Sequence, residues 1–250
     1  MITTIQYNSR KLTINLRQPL DISIPLKGTS KNVNVWYIAP PEIKPVVIDE
    51  ATISVAEGAA VNFNQISFNP HAHGTHTESV GHIMEKVYSV NKSLKQFFFL
   101  AEVITVVPEK SGEDYIISKK QLQFALGNKK REAIVIRTLP NTRKDKHSRQ
   151  YSNTNWPYFT QEAAIYLREK GVAHWLVDLP SVDKERDNGE LLCHHAFWNT
   201  SGTIRKEATI TELVYVSNKI EDGMYVLNLQ ISPFDNDASP SKPILYKVLN

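Results

Sequence analysis

The order of hydrophobic and polar positions predicts a chain that begins with several short strands. Residues 3–7, 12–16, 21–25 and 33–38 are rich in β-branched or aromatic side chains and are separated by proline, glycine and polar residues. This pattern is typical of strands joined by turns. The alternation of side chains along residues 61–68 predicts a further strand, which leads directly into a histidine-rich segment.

Two helices are predicted in the middle of the chain. Ser118 is suited to cap a helix over residues 119–126, Thr160 is suited to cap another over residues 161–170, and a glycine follows each helix. Hydroxyl side chains at helix starts accept hydrogen bonds from free backbone N–H groups, and glycine commonly ends a helix. The second helix also has an acidic residue in its first turn and a lysine in its last.

Buried strands are predicted on both sides of these helices. Residues 100–107, 133–137, 172–179, 210–216 and 224–231 contain runs of aliphatic side chains. The strand, helix and strand in succession around the second helix indicate a parallel pairing, since a crossover helix lets the chain re-enter the sheet in the same direction. The expected fold class is α/β, with a mixed sheet and flanking helices.

Composition restricts the class of protein. Residues 1–250 are 41% hydrophobic and 22% charged, which is ordinary for a soluble globular protein, and the length fits one domain. A net charge of +3 is too small to favour a nucleic-acid partner. The one visibly basic stretch, residues 143–149, is interpreted as a solvated loop.

The sequence also bears on location. No stretch approaches the roughly 18 apolar residues of a membrane span, and the N-terminal residues show no secretory signal. The single cysteine, Cys193, excludes an internal disulfide framework and fits a reducing compartment. Because two leucines precede it, Cys193 is interpreted as a buried core residue. We therefore expect a cytoplasmic protein that does not enter a membrane.

Histidines are concentrated in one segment. Four of the eight histidines, His71, His73, His76 and His82, lie within twelve residues, and Glu78 lies among them. Neutral imidazole nitrogen and carboxylate oxygen are the donors that zinc and similar divalent ions prefer. The segment therefore predicts part of a metal site.

The spacing in this segment allows several side chains to converge. In an extended chain His76 and Glu78 point to the same side, because side-chain direction repeats every two residues. If a helical turn begins near Glu78, then His82 lies on the same face as Glu78. His71 or His73 is expected to supply a further nitrogen from the preceding loop.

More ligands are expected from later in the chain. His194 and His195 follow a turn-rich acidic stretch, and Glu212 is embedded among aliphatic residues of a predicted strand. A carboxylate in such a strand is costly to bury unless it is paired or bound to a metal. The alternative is that Glu212 lies on an exposed strand face and is solvated.

A resemblance to a known family follows from these residues. Gly74-Thr75-His76, with Glu78 and His82 beyond, resembles the motif His-x-Gly-Thr-His-x-Asp-x-Pro-x-His of the cyclase family of metal-dependent hydrolases, which includes bacterial kynurenine formamidases. Further segments resemble that family in the same order along the chain: residues 21–26, 133–138, 171–183, 194–195, 211–213 and 237–240.

The resemblance implies an α/β fold of the swivelling β/β/α type and a site for one or two divalent ions, with zinc expected and manganese the alternative. His76 and Glu78 would be metal ligands, and His195 (or His194) with Glu212 would complete a second metal position. His82 would transfer protons. The implied reaction is hydrolysis of a small-molecule amide, formamide, cyclic amide or ester by a metal-activated hydroxide, in a homo-oligomer.

The chain departs from the family motif at three positions. Ala72 stands where the family has its first histidine, so His71 or His73 must replace that ligand, with His71 favoured. Glu78 replaces an aspartate, and Val80 replaces a proline.

Two alternatives remain open at this point. The first is a module that binds a metal or a small acid without catalysis. The second is a cupin-like metal oxygenase, since His71, His73 and Glu78 also fit the first half of that metal motif, although the predicted helices argue against an all-β barrel.

Overall fold

Strands dominate the structure, a computed structural model that describes residues 1–249. In chain order the strands are β1 (Ile2–Tyr7), β2 (Arg10–Asn15), β3 (Leu20–Asp21), β4 (Glu42–Pro45), β5 (Val47–Ile48), β6 (Ala51–Thr52), β7 (Asn64–Ser67), β8 (His76–Glu78), β9 (Phe98–Val106), β10 (Glu109–Ser111), β11 (Asp114–Ile117), β12 (Ala133–Thr138), β13 (Tyr158–Phe159), β14 (His174–Val177), β15 (Thr209–Glu212), β16 (Gly223–Ile231) and β17 (Ala238–Lys247).

Short helices lie between the strands. The α-helices are α1 (Pro70–His73), α2 (Val90–Ser93), α3 (Lys119–Leu126), α4 (Arg143–Ser148), α5 (Gln161–Glu169) and α6 (Leu192–Trp198), and single 3₁₀ turns occupy Val55–Glu57 and Val80–Ile83.

Seven strands close into a barrel-like sheet. Their order is β16, β9, β12, β14, β15, β8 and β17, and β17 pairs again with β16. Strands β9, β12, β14 and β15 are parallel to one another, whereas β8, β16 and β17 join the ring through antiparallel pairs. The predicted α/β class with a mixed sheet is confirmed. The parallel block and its helices exclude the all-β barrel that the cupin-like interpretation requires.

Alternate residues of β12 face two separate parts of the core. Ile134 and Ile136 pack with apolar residues of α3, α5 and α6 outside the barrel. Ala133 and Val135 point the other way, into a cluster formed by side chains of β9, β14, β16 and β17. All six residues of β12 are buried, as expected of a parallel strand covered on both faces.

The two predicted helices are confirmed at their starts. At α3, the Ser118 side chain accepts a hydrogen bond from the Gln121 backbone N–H, and the Gln121 side chain accepts one from the Ser118 backbone N–H. At α5, the Thr160 side chain accepts a hydrogen bond from the Ala163 backbone N–H. These local contacts satisfy free N–H groups without help from distant residues, which is why the sequence predicts them well.

Two predictions about irregular segments are wrong. Residues 33–38 do not form a strand, because Trp36 and Tyr37 adopt positive φ angles of 63° and 60°. The basic stretch is helical, in α4, instead of a solvated loop. Its Lys146 is buried, with Nζ 3.2 Å from Asp178 Oδ2, so this lysine belongs to the interior.

Residues 42–67 form a hairpin that we call the arm. Strand β4 pairs with β7, and β5 pairs with β6 nearer the tip. None of residues 42–67 is buried. Seven large apolar side chains of the arm are between 37% and 61% exposed: Ile43, Val47, Ile48, Val55, Val61, Phe63 and Ile66. Of the strand predicted over 61–68, residues 64–67 form β7, and they lie on the surface.

Across residues 1–249, none of the helices is both long enough and apolar enough to cross a membrane.

We predict that stability falls as the pH is lowered from about 6.5 towards 4, in part because of His174 on β14. Burial, and then the charge of Arg205, lower the pKa of His174 to about 4. The unfolded chain binds a proton at pH values where the folded protein keeps this ring neutral. The contribution of the neutral His174 to the free energy of unfolding is therefore complete above pH 6.5. About 2 kcal/mol of that free energy is lost by pH 5.

Urea unfolding of the wild type and of His174→Gln at pH 7 and pH 5 checks this. The free energy of unfolding should depend less on pH in the variant, by about 2 kcal/mol. An equal pH dependence in the two proteins would contradict this assignment.

Candidate metal centre

Strand β8 carries the centre of the site. His76 and Glu78 lie two residues apart in an extended chain, as predicted, and both side chains are fully buried. β8 lies between β15 and β17, and its register places Glu212 opposite His76 and Ala238 opposite Glu78. The imidazole Nε2 of His76 is consequently 3.5 Å from Glu212 Oε2.

His71 approaches Glu78 from α1. This helix begins with Pro70, and the side chain of Asn69 accepts a hydrogen bond from the backbone N–H of His71. The cap fixes the first turn so that His71 Nδ1 lies 3.1 Å from Glu78 Oε2.

The structure does not bring His73 into this cluster. Its Nδ1 accepts a hydrogen bond from the Asn69 backbone N–H at 2.8 Å, and its Nε2 lies 3.0 Å from the carbonyl oxygen of Ala39. Both ring nitrogens are therefore used by the backbone, and only His71 of the two rivals faces Glu78.

His82 reaches the site from the 3₁₀ turn Val80–Ile83. The Ser79 hydroxyl caps this turn by accepting a hydrogen bond from the Gly81 N–H. A Cβ atom on Gly81 would overlap the Tyr88 carbonyl group, so the turn requires glycine. His82 Nε2 lies 3.9 Å from Glu78 Oε2, and the side chain is 31% exposed.

His194, and not His195, enters the cluster from α6. His194 Nε2 is 3.2 Å from Glu78 Oε1 and 3.9 Å from Glu212 Oε1. His195 Nδ1 instead contacts the Thr200 hydroxyl at 2.7 Å. Neighbouring helix residues point about 100° apart, so only one of the two can face β8.

Asp183 places α6. Its carboxylate accepts hydrogen bonds from the backbone N–H groups of Cys193 and His194, and it also contacts His194 Nδ1 at 2.5 Å. The helix is thus capped by a residue ten positions earlier in the chain. Because this cap comes from a distant residue, α6 has no local capping signal in the sequence.

Glu212 is buried, with 4% of its surface exposed, which excludes the solvated strand face considered above. Its Oε1 accepts a hydrogen bond from the Val182 N–H at 3.0 Å.

Asp237 is a site residue that the sequence predictions missed. It immediately precedes β17, and its Oδ2 lies 2.9 Å from His71 Nε2 and 3.4 Å from His82 Nδ1. The resemblance of residues 237–240 to a family segment was the only signal for it. β17 itself was not predicted, because Pro240 and Pro243 disfavour a strand.

The carboxylates make the cluster a site for positive charge. Burial alone lowers the pKa of His71, but its contacts with Asp237 and Glu78 outweigh burial and raise this pKa to about 10. Burial of Glu78 opposes ionisation, yet the charge of His82 and the contacts with His194 and His71 hold its pKa well below the usual range.

His194 on α6 is subject to the same two opposing effects, burial and contact with carboxylates. Burial lowers the pKa of His194, whereas the contacts with Asp183 and Glu78 raise it well above the ordinary value. A proton or a divalent cation placed between these groups is therefore strongly favoured over an empty, neutral cluster.

The donor set fits a divalent metal ion. The buried atoms His76 Nε2 and Glu78 Oε2 have no hydrogen-bond partner among the described residues. Ligand atoms of three residues come within 4.8 Å of one another in each of three groups: His71, His76 and Glu78; Glu78, His82 and His194; and His71, His82 and Asp237.

Three histidines present one ring nitrogen to the cluster while the other nitrogen is held by a fixed acceptor. These acceptors are Asp237 Oδ2 at 2.9 Å for His71, the Gly74 carbonyl oxygen at 3.0 Å for His76, and Asp183 Oδ2 at 2.5 Å for His194. Carboxylate or carbonyl partners of this kind orient histidine ligands in metal sites and fix their tautomers. The arrangement is suited to metal binding by His71, His76 and His194.

Comparisons with known proteins agree with this architecture. A family model described as "Putative cyclase" matches residues 16–184. A crystal structure described as a novel cyclase has a TM-score of 0.67 at 14% identity, covering 94% of this chain and 90% of that one. A predicted metal-dependent hydrolase from Bacillus stearothermophilus has a TM-score of 0.62 at 15% identity, covering 92% and 98%.

An isatin hydrolase bound to the product analogue thioisatinate has a TM-score of 0.60 at 15% identity, and 92% of each chain is covered. These likenesses show a shared fold. A search of curated proteins gives no match.

The matched segment includes β8, α1 and the turn that carries His82, together with Asp183. It spans well over half of the chain. The chain therefore belongs to the family described as "Putative cyclase".

Proposed function

We propose that the protein is a metal-dependent hydrolase that cleaves an amide, a formamide, or a cyclic amide or ester. The observation that carries this proposal is the position of Glu78. Its Oε2 faces His71 and His76, its Oε1 faces His194, and the partly exposed His82 lies beside it. This geometry combines a buried donor set with an imidazole, that of His82, which solvent can reach.

The residues divide into two sets of metal ligands that share one carboxylate. His71, His76 and Glu78 would hold one divalent ion, and Glu78, His194 and Glu212 would hold a second. Zinc is the metal we propose, with manganese the alternative, since nitrogen and carboxylate donors suit both. When bound, the metal supplies a hydroxide near neutral pH and polarises the substrate carbonyl.

His82 is proposed to transfer the proton. Its Nε2 is 3.9 Å from Glu78 Oε2, close enough to the ligands to reach a bound substrate. Its 31% exposure lets substrate and solvent approach the ring. His82 would take a proton from the attacking water and return it to the leaving nitrogen or oxygen.

The substrate class is inferred from chemistry and from relatives. An isatin hydrolase shares the fold, and the sequence resembles kynurenine formamidases. Isatin and N-formyl amines both carry an amide-type C–N bond. We propose a small cyclic amide or N-formyl amine as substrate, with lactones as the ester counterpart.

We also propose that the protein is a homo-oligomer in which the arm of one copy packs on a second copy. A two-stranded hairpin is marginally stable in water by itself, and monomers rarely leave so many large apolar side chains exposed. The arm carries four acidic residues and one lysine, whereas the whole chain has a net charge of +3. An acidic, apolar arm is therefore complementary to the basic body of another copy.

We predict that the purified protein contains one or two equivalents of zinc or manganese and that His76→Ala removes most of it. His76 Nε2 is buried, and it lies 3.9 Å from Glu78 Oε2 and 3.5 Å from Glu212 Oε2. Elemental analysis of the purified proteins measures the metal.

Two variants serve as matched controls for this measurement. His73→Ala changes a histidine of the same segment, and His195→Ala changes the neighbour of His194, and both should retain the metal. Loss of metal in these controls but not in His76→Ala would contradict the ligand set.

We predict that His82→Ala keeps its metal and loses hydrolysis by about 10²–10⁴-fold, the usual contribution of a general acid or base. Wild type and variant are assayed on N-formyl amines, cyclic amides and lactones, with and without a chelator. Loss of metal in His82→Ala would assign His82 to the ligands instead. A metal-loaded wild type that hydrolyses no member of the panel would favour a noncatalytic metal-binding module.

We predict that replacing Ile43 and Ile66, which lie opposite each other on β4 and β7, by serine converts the oligomer to a monomer. Light scattering coupled to size-exclusion chromatography measures the mass. Phe124→Ser is the control, because Phe124 is 92% exposed but lies on α3, away from the arm. A wild type that is monomeric, or a double variant that stays oligomeric, would contradict the role of the arm.

A further inference from the structure

We propose that Asp237 is a positioning residue that orients two histidines at once. It would hold His71 with Nδ1 turned towards Glu78, where a metal would bind, and His82 with Nε2 turned to the same side, where a substrate would lie. This inference rests on the proposed hydrolase function and assigns to Asp237 a role that the ligand set alone does not contain.

The two imidazole rings lie between two carboxylates. On one side, Asp237 Oδ2 is 2.9 Å from His71 Nε2 and 3.4 Å from His82 Nδ1. On the other side, Glu78 Oε2 is 3.1 Å from His71 Nδ1 and 3.9 Å from His82 Nε2. The rings stack with their centroids 4.1 Å apart and their planes 27° apart. A single oxygen, Asp237 Oδ2, therefore contacts the ring nitrogen of each histidine that faces away from Glu78.

This arrangement selects a tautomer for each ring. A neutral imidazole has one N–H and one free lone pair, and a carboxylate stabilises the tautomer whose N–H points at it. The proton of His71 is thus placed on Nε2, and that of His82 on Nδ1. The free lone pairs, on His71 Nδ1 and His82 Nε2, then face the Glu78 side, where the metal and the substrate carbonyl are expected.

The position of Asp237 is fixed by the segment that carries Glu78 and His82. Its backbone carbonyl oxygen accepts a hydrogen bond from the Ser79 N–H at 2.9 Å, and Ser79 lies directly after Glu78. The next residue, Ala238, is paired with Glu78 across β17 and β8. The carboxylate of Asp237 is therefore fixed relative to Glu78 by the sheet and not by a mobile loop.

The role differs from that of the other orienting groups. Asp183 and the Gly74 carbonyl oxygen each contact a single histidine of the cluster. Asp237 contacts one histidine proposed as a ligand and one proposed as the proton carrier. Removal of its charge should therefore weaken metal binding and lower turnover together, whereas His82→Ala should lower turnover alone.

The test compares Asp237→Asn and Asp237→Glu with the control Asp235→Asn. Asp235 lies two residues away, is 65% exposed and pairs with Lys92. Zinc affinity is measured by competition with a chromogenic chelator, and hydrolysis is measured on the best substrate of the panel. Histidine tautomers are read from long-range ¹H–¹⁵N correlation spectra of the zinc-loaded protein, and circular dichroism verifies folding.

We expect Asp237→Asn to lose about 10–100-fold in zinc affinity, the usual effect of removing such a partner, and at least about tenfold in kcat. The wild-type spectrum should show the proton on Nε2 of His71 and on Nδ1 of His82, and the variant should lose this preference. Asp237→Glu should restore part of both properties, and Asp235→Asn should match the wild type.

Unchanged zinc affinity and tautomers in a folded Asp237→Asn protein would overturn the positioning role and leave the hydrolase proposal intact. A wild type that binds no zinc or manganese would overturn both proposals. Loss of turnover with wild-type zinc affinity would also overturn the shared role, since it would restrict Asp237 to His82.

Discussion

The burial of the Glu78 carboxylate is the interaction on which the rest of the site depends. A carboxylate removed from water costs several kcal/mol unless charged or hydrogen-bonding partners surround it. Here the partners come from α1, from the 3₁₀ turn after β8 and from α6, each contributing one histidine. Each of these elements is capped or pinned so that its histidine faces the same carboxylate. Three separately capped segments therefore converge on one buried charge, which their histidines compensate.

The closed sheet explains how such a charge can be buried at all. β8 has only three residues, yet it lies between β15 and β17 and pairs with both. That register brings Glu212 opposite His76 and places Asp237 just beyond the residue opposite Glu78. A short strand in the middle of a ring thus aligns three acidic side chains without any long loop. The arm contrasts with this buried strand, since it adds exposed apolar surface and contributes no residue to the core.

Local chemistry accounts for what the sequence revealed. The caps at Ser118 and Thr160 act within one turn, and the alternation of His76 and Glu78 is a property of any extended chain, so these features were predictable. The choice between His194 and His195 was not, because it depends on how α6 is rotated, and the distant Asp183 fixes that rotation. Asp237 was missed for a related reason. Asp237 reaches the site because β17 pairs with β8, and β17 was not predicted because it contains two prolines.

The closure of the barrel by β17 has a consequence for folding. His71 and Asp237 are 166 positions apart, so the complete cluster is strongly non-local, and contacts of large sequence separation slow folding. Until β17 is made, a chain still in synthesis would lack the strand that pairs with β8 and would leave the acidic side chains of the cluster exposed. A metal that binds only the closed ring stabilises the folded state by mass action. Metal supply would then set how much of the newly made protein reaches the closed form, as well as how active that form is.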